Sequence, residues 1–331
     1  MTNTGKVPLL DIQGLTVGFS GPHQNSETMI PVVRDLSLTL GRGETLSIVG
    51  ESGSGKTMTA YAILNLIPQG GKILDGDIRL NGKSVLSLGK SERREIRGNV
   101  VSMIFQEPMT ALNPVFTIGD QISEAYQLHH TAAKKEARER TIALLDKVGI
   151  VDPDRRVDAY PHELSGGMRQ RAMIAMALIC EPDLLIADEP TTALDTTIQS
   201  QILDLLIQLQ EELDMAVLFI SHDIAVVSEV AGRVAVMYAG NLVETFPTEH
   251  LLDQVRHPYT KGLLSTLPRP EHRGKMLPTL NGFLNPADRM TSGCSFAARC
   301  PKSDNDCTLS RPAPKKVSPR HSVACFKADG A

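Results

Sequence analysis

The chain has 331 residues, 41% of them hydrophobic and 22% charged, which suits about two domains and excludes wholesale disorder. Its 34 basic and 38 acidic residues leave a formal net charge of −4, which argues against a nucleic-acid binder working through overall positive charge. Aromatics make up 4% and Trp is absent, so an aliphatic core is expected.

The opening MTNTGKVPLLDIQ has no apolar stretch behind a basic start, so no signal peptide is expected. No apolar run reaches the ~20 residues of a membrane helix. Over residues 8–50 short apolar runs alternate with turns (LLDIQGLTVGF, VVRDLSLTL, ETLSIVG), which predicts strands with a loop at Gly21–Thr28. Residues 56–67 predict a helix, Val100–Phe105 a strand, and 117–149 mostly helix. Met168–Cys180 is apolar almost all round, as a buried helix is. Leu184–Ala187 reads as a central parallel strand. In Thr196–Leu213 the residues Ile198, Ile202, Leu205, Leu206, Leu209 and Leu213 line one helical face. Val217–Ile220 and Val234–Tyr238 predict further strands, and the alternation predicts an α/β domain with a mainly parallel sheet. Prolines recur from about residue 256 and periodicity fades, which places a domain boundary near 255–260.

Gly50-Glu51-Ser52-Gly53-Ser54-Gly55-Lys56-Thr57 matches GxxxxGK[ST], between an apolar strand and a helix. Glycines let backbone N–H groups surround phosphate oxygens, Lys56 reaches the β- and γ-phosphates, and the Thr57 hydroxyl suits Mg²⁺. Met58, on the same turn, joins this set. Asp188 and Glu189 end the strand at 184: Asp188 suits Mg²⁺ and Glu189 the attacking water. Taken alone, that acidic pair also reads as a helix cap. Ser165, Gly166 and Gly167 open the buried helix and make a second helix end suited to phosphate, or a plain glycine-rich cap. Because one phosphate loop already serves one nucleotide, this second end suggests a nucleotide held by another subunit.

Of five cysteines, Cys180 reads as a core thiol. Cys294, Cys300, Cys307 and Cys325, with gaps of five, six and seventeen residues, read more readily as a metal site than as disulfides. Structural zinc prefers paired C-x₂₋₄-C spacing, so four looser thiolates suit an iron–sulfur cluster at least as well.

The order of these parts resembles the ATP-binding subunits of ABC transporters: the phosphate loop at 50–57, Gln106 after a strand, LSGGMRQR at 164–171, the acidic strand end at 184–189, Ala193-Leu194-Asp195, and His222 after a strand. The resemblance implies a P-loop cassette over residues 1–255, with an antiparallel β subdomain and a helical subdomain at about 107–167. It implies ATP and Mg²⁺ as cofactors, with Thr57, Gln106 and Asp188 toward the metal. Glu189 is implied as the base, with Lys56 and His222 at the γ-phosphate and Asp195 in the loop linking two sites. Phe19 is the candidate for stacking on adenine. RHPYTKGLLSTLP at 256–268 and SGCSFAARCP at 292–301 narrow the likeness to the dipeptide, oligopeptide and nickel importer ATPases, with residues 256–331 as their C-terminal extension. That implies a [4Fe–4S] cluster on the four cysteines, with zinc or free thiols as alternatives. Where members often carry Ile-Pro-Gly, this chain reads Leu280-Asn281-Gly282-Phe283-Leu284-Asn285-Pro286. The implied machine pairs the chain with a second, related ATPase, two permease subunits and an external binding protein, on the cytoplasmic side of the membrane. Peptides are the favoured cargo, with nickel or another small solute as the alternative. A soluble ABC ATPase acting on DNA or ribosomes, an exporter ATPase and a non-hydrolysing scaffold are the disfavoured rivals.

Overall fold

In the computed structural model, residues 7–21, 29–107, 111–192, 194–267, 279–280 and 282–328 are described. Ala193, residues 22–28 of the expected loop, residues 108–110, and Pro268 and Asn281 of the tail segments lie outside them. In order the chain forms β1 (Leu10–Ser20), β2 (Met29–Leu40), β3 (Thr45–Val49), α1 (Lys56–Ile63), β4 (Gly71–Leu80), β5 (Lys83–Ser84), α2 (Lys90–Ile96) and β6 (Val101–Ile104). Next come α3 (Ile118–Gln127), α4 (Lys134–Lys147), α5 (Pro153–Arg156), α6 (Gly166–Leu178), β7 (Leu184–Asp188), α7 (Thr196–Leu213) and β8 (Ala216–Ser221). The chain ends with α8 (Ile224–Val230), β9 (Arg233–Tyr238), β10 (Asn241–Pro247), α9 (Pro258–Ser265), α10 (Asn305–Leu309), β11 (Lys315–Ser318) and β12 (His321–Val323).

These elements divide into two compact units. The first comprises Met1–Gly41, Thr45–Ser87 and Phe219–Ala331. In it β2, β1, β4 and β5 form an antiparallel sheet. A mixed sheet pairs β3 parallel to β9, and β9, β10, β12 and β11 antiparallel in turn. The second unit comprises Arg42–Glu44 and Leu88–Leu218. It holds helices α2–α7 and the parallel pair β6 and β7, in register at Val101↔Leu184 and Ile104↔Ala187. Every residue of both strands is buried, which is why they read as unbroken apolar runs.

Local signals placed most of these elements. Thr117, Ser165 and Asp195 each accept a backbone N–H at the start of α3, α6 and α7. The buried face of α7 contains Ile202, Leu205, Leu206 and Leu209 as its spacing predicts, and also Leu203. Helix α1 is shorter than expected because Asn65 turns left-handed (φ 51°) and Pro68 follows. Strand β4 escaped the reading. Its GKILDGDIRL carries two Gly and two Asp, and pairing with β1 outweighs that weak local preference.

The expected aliphatic core is found around β6, β7 and α6. In the first unit, however, the largest fully buried side chains are aromatic: Tyr238, Tyr259, Phe219, Phe246 and Phe296. Tyr238, Tyr259 and Phe296 pack edge-on or tilted, with centroids 4.7–5.3 Å apart. Three rings thus give the proline-rich tail a core that its aliphatic content cannot supply.

A buried carboxylate adds a second anchor. Glu244 on β10 accepts from the backbone N–H of Arg256 (2.6 Å) and His257 (3.1 Å) and pairs with His321 Nε2 on β12 (2.9 Å). Burial raises its pKa, but the His321 bond and the two amides outweigh that and hold it below the ordinary carboxylate value. His257 caps α9 by accepting from Tyr259 N through Nδ1 (3.1 Å). Burial pushes the His257 imidazole down to about 4, against the opposing pull of Glu244. Between the ordinary value of 6.5 and about 4 the unfolded chain therefore binds more protons at this site. The stability this contributes is complete above that window and is lost as pH falls through it. Glu244 acts in the same direction, losing its share below the ordinary carboxylate range. Calorimetric melting should show the midpoint falling as pH drops from neutral to about 4, and His257→Asn, which keeps a cap acceptor, should flatten that slope.

Candidate active site

The turn between β3 and α1 wraps around its own lysine. Gly50 and Gly55 have φ of 157° and 105°. A Cβ on Gly50 would lie 2.2 Å from the Met237 carbonyl oxygen, and one on Gly55 2.6 Å from that of Val32. Only glycine lets the backbone pass there. Lys56 is 5% exposed, and its Nζ donates to the carbonyls of Gly50 (2.7 Å) and Glu51 (3.2 Å). Ser54 N donates to the same Glu51 carbonyl (3.1 Å). Ser54 is buried and its Oγ has no hydrogen-bond partner among the described residues. Ser52 and Gly53 are exposed, and Thr57 and Met58 are half-buried on the first turn of α1. That turn carries no acidic residue, so the positive end of the helix is left uncancelled for an anion.

His222 belongs to the same unit and is exposed just after β8. Phe19 is half-buried on β1, opposite Gly71 of β4, and its ring covers that glycine: a Cβ there would lie 2.6 Å from Cε1 and Cζ.

The acidic residues lie in the second unit. Asp188 ends β7 and is 2% exposed. Glu189 follows with φ 49°, a left-handed conformation that costs a non-glycine residue about 1–3 kcal/mol. The register Ile104↔Ala187 carries Gln106 alongside Glu189. Gln106 Nε2 donates to Glu189 Oε2 at 3.0 Å, and Thr192 Oγ1 donates to the same oxygen at 3.0 Å. Two donors and a twisted backbone thus aim one carboxylate. Thr192 escaped the sequence reading, since a hydroxyl three residues after an acid carries no signal by itself.

Ser165 Oγ caps α6 by accepting from Met168 N (3.3 Å). Ser165 and Gly166 are exposed, and no atom lies within 4 Å of a Cβ on Gly166. A Cβ on Gly167 would meet Ile198 of α7 at 3.0 Å. The exposed Asp195 caps α7, accepting from Ile198 N (3.0 Å). Gln170, 2% exposed, donates from Nε2 to the Pro190 carbonyl (2.5 Å), which ties α6 to the residue after Glu189.

All five cysteines are free thiols. Cys180 is buried, its thiol is pushed up to about 11 by burial, and its Sγ donates to the Ala125 carbonyl (3.6 Å), as suits a core residue. Cys294 N donates to the Cys307 carbonyl (2.8 Å), and Cys307 and Cys325 are buried. Burial pushes Cys294 up to about 11 and also raises Cys300 and Cys325, and the nearby cysteines add to each shift. Among the described residues, no group of three or more His, Cys, Asp or Glu is arranged to hold a metal ion.

Gly55 of the phosphate loop and Gly166 of the LSGG segment differ in what a methyl group would do. Gly55→Ala should lower the urea unfolding midpoint by an amount equivalent to about 1–3 kcal/mol, whereas Gly166→Ala should leave it nearly unchanged.

Comparison with known proteins agrees with this layout. A family model described as ABC transporter matches residues 33–192, and one described as oligopeptide/dipeptide transporter, C-terminal region, matches residues 243–307. The dipeptide transport ATP-binding protein DppD of Bacillus subtilis is 47% identical over 324 residues, covering 97% of this chain and 95% of that protein. A Brucella ovis protein named for peptide import ATP-binding is 47% identical over 332 residues, covering 97% of each. The dimeric post-hydrolysis structure of the ATP-binding cassette MJ0796 bound to ADP and Pi matches with a TM-score of 0.64 and 27% identity, covering 72% of this chain and 98% of that one. With its phosphate loop, acidic strand end and C-terminal region all matched, this chain belongs to the ABC transporter ATP-binding family, in the branch that carries the oligopeptide/dipeptide transporter C-terminal region.

Proposed function

We propose that the chain hydrolyses ATP to drive peptide import through a membrane ABC transporter. The observation that carries this reading is the Glu189 carboxylate, held by Gln106 and Thr192 directly after the buried Asp188, in a chain with a complete phosphate loop. The cargo follows from relatives named for peptide and dipeptide transport that align over nearly their whole length.

Lys56 and the amides of Gly53, Ser54 and Gly55 bind the β- and γ-phosphates, and the half-buried Phe19 ring is offered to adenine. Thr57, Gln106 and Asp188 are the residues that would hold Mg²⁺, which would neutralise charge on the transferring phosphoryl group. Glu189 orients and deprotonates the attacking water, and His222 donates to the γ-phosphate. Ser165, Gly166 and Gly167, exposed at the start of α6, read the γ-phosphate of a nucleotide held by a partner subunit, with Asp195 linking the two sites. The partner is a second, related cassette. Two permeases and an external binding protein complete the importer, and the chain sits peripherally on the cytoplasmic side. No described helix is long and apolar enough to cross a membrane.

Cys294, Cys300, Cys307 and Cys325 are free thiols in the 256–331 extension, and four cysteines are the donor number that a [4Fe–4S] cluster takes. The gaps of five, six and seventeen residues lack the paired C-x₂₋₄-C spacing that structural zinc prefers, which is the reason for preferring a cluster. Bound there, it would staple a segment with little aliphatic core. Anaerobic purification should yield about four irons per chain with matching acid-labile sulfide. Stoichiometric zinc, or no metal, would reject this assignment.

Glu189→Gln should keep ATP binding and lower turnover on the order of 10²–10⁴-fold. Purified with ATP in mild detergent from native membranes, that variant should carry two permeases and a second ATPase, identified by mass spectrometry. Recovery of ribosomal or DNA-repair proteins alone would defeat the transport reading.

A further inference from the structure

The phosphate loop contains an acid. Glu51 is the second residue of an eight-residue motif whose task is to bind a polyanion, and an unpaired carboxylate there would repel the ligand. Its partner comes from far along the chain. Arg299 Nη1 donates to Glu51 Oε1 at 3.1 Å and Oε2 at 2.9 Å. The Arg299 side chain is 7% exposed and that of Glu51 26%, so solvent screens the pair only in part. Arg299 also donates to Tyr238 Oη (3.4 Å), and its guanidinium lies 5.6 Å from the Tyr238 ring centroid and 5.9 Å from that of Phe296. Burial lowers its pKa, but the Glu51 and Tyr238 bonds outweigh that and raise it. Two further tail residues grip the same loop. Glu51 N donates to Tyr259 Oη (2.9 Å), and Arg289 Nη2 donates to the Gly53 carbonyl (2.6 Å).

We infer that Arg299 is the counter-ion and positioning residue of Glu51, so that the C-terminal extension sets the affinity of the phosphate loop for ATP. With Arg299 in place, the Glu51 carboxylate is neutralised by the guanidinium, and its backbone carbonyl stays on Lys56. Tyr259 fixes the Glu51 amide, which keeps the loop in the shape that receives phosphate. Arg299 directly precedes Cys300, so the cysteine segment and the nucleotide loop share one mechanical link. This inference rests on the ATPase reading.

The test separates neutralisation from mere support of the fold. The full chain and its variants are titrated calorimetrically with Mg²⁺–ATP, and their melting midpoints are recorded. Arg299→Ala should weaken ATP binding about 5–10-fold by leaving a carboxylate uncompensated beside the phosphates. Glu51→Gln should bind nearly as well as the wild type, since it removes the offending charge. Arg299→Ala with Glu51→Gln should recover most of the loss, because removing both charges restores neutrality. Arg299→Lys should fall between wild type and Arg299→Ala, keeping the charge without the guanidinium fork. In the assembled transporter the loss should appear as a raised KM for ATP with kcat within about two-fold. A double variant as weak as Arg299→Ala, or wild-type affinity in Arg299→Ala, would overturn the inference while leaving the ATPase reading intact. No ATP binding by the wild-type chain would overturn both.

Discussion

A phosphate-binding loop must keep a lysine charge under cover and still offer it to a ligand. Here Lys56 is almost wholly buried, and two carbonyls of its own loop accept from its ammonium group. An ammonium group without acceptors at that depth would be very costly, so the chain has to fold back over it. That path takes the backbone through left-handed conformations at Gly50 and Gly55, hard against the Met237 and Val32 carbonyls. Strands β9 and β2 are therefore the mould of the loop as well as parts of two sheets.

The tail is held to the same place by interactions that a small, proline-rich segment can make. It lacks the aliphatic area to bury, and it uses a few strong contacts instead: three interlocked rings, one buried carboxylate with three donors, and the Arg299–Glu51 pair. The rings contribute burial. The charged contacts contribute direction, because each requires a named donor at a fixed distance. Two strands, β11 and β12, then extend the sheet of the first unit through β10. Such an extension is positioned more exactingly than it is packed, which suits a device that bears on a ligand loop.

In the second unit strain and order go together. Glu189 occupies an unfavourable backbone conformation directly after a strand, and its side chain is restrained from two sides. Gln106 comes from the neighbouring parallel strand's end, so any shift between β6 and β7 would move donor and acceptor apart. The link from Gln170 to the Pro190 carbonyl couples α6 to the same turn. Gln106, Glu189, Thr192 and Gln170 are thus joined by hydrogen bonds around one turn of that unit.

Much of this was legible in the amino-acid order. The glycine turn before α1, the acidic end of β7 and the caps of α6 and α7 were legible because a glycine turn or a helix N-terminus is specified by adjacent residues. The buried runs at Val101–Ile104 and Leu184–Asp188 were legible for the same reason, since a strand covered on both faces is apolar throughout. Strand β4 was not, because its glycines and aspartates weaken the pattern and only pairing with β1 fixes it. Nor were the partners of the functional groups. Gln106 with Glu189, Glu51 with Arg299, and Glu244 with His321 are separated by 83, 248 and 77 positions. A salt bridge or hydrogen bond leaves no periodic trace in either of its strands or loops. Sequence by itself determined which residues can carry the chemistry, and tertiary structure decided which of them hold one another in place, because sheet register and side-chain packing depend on the whole chain at once.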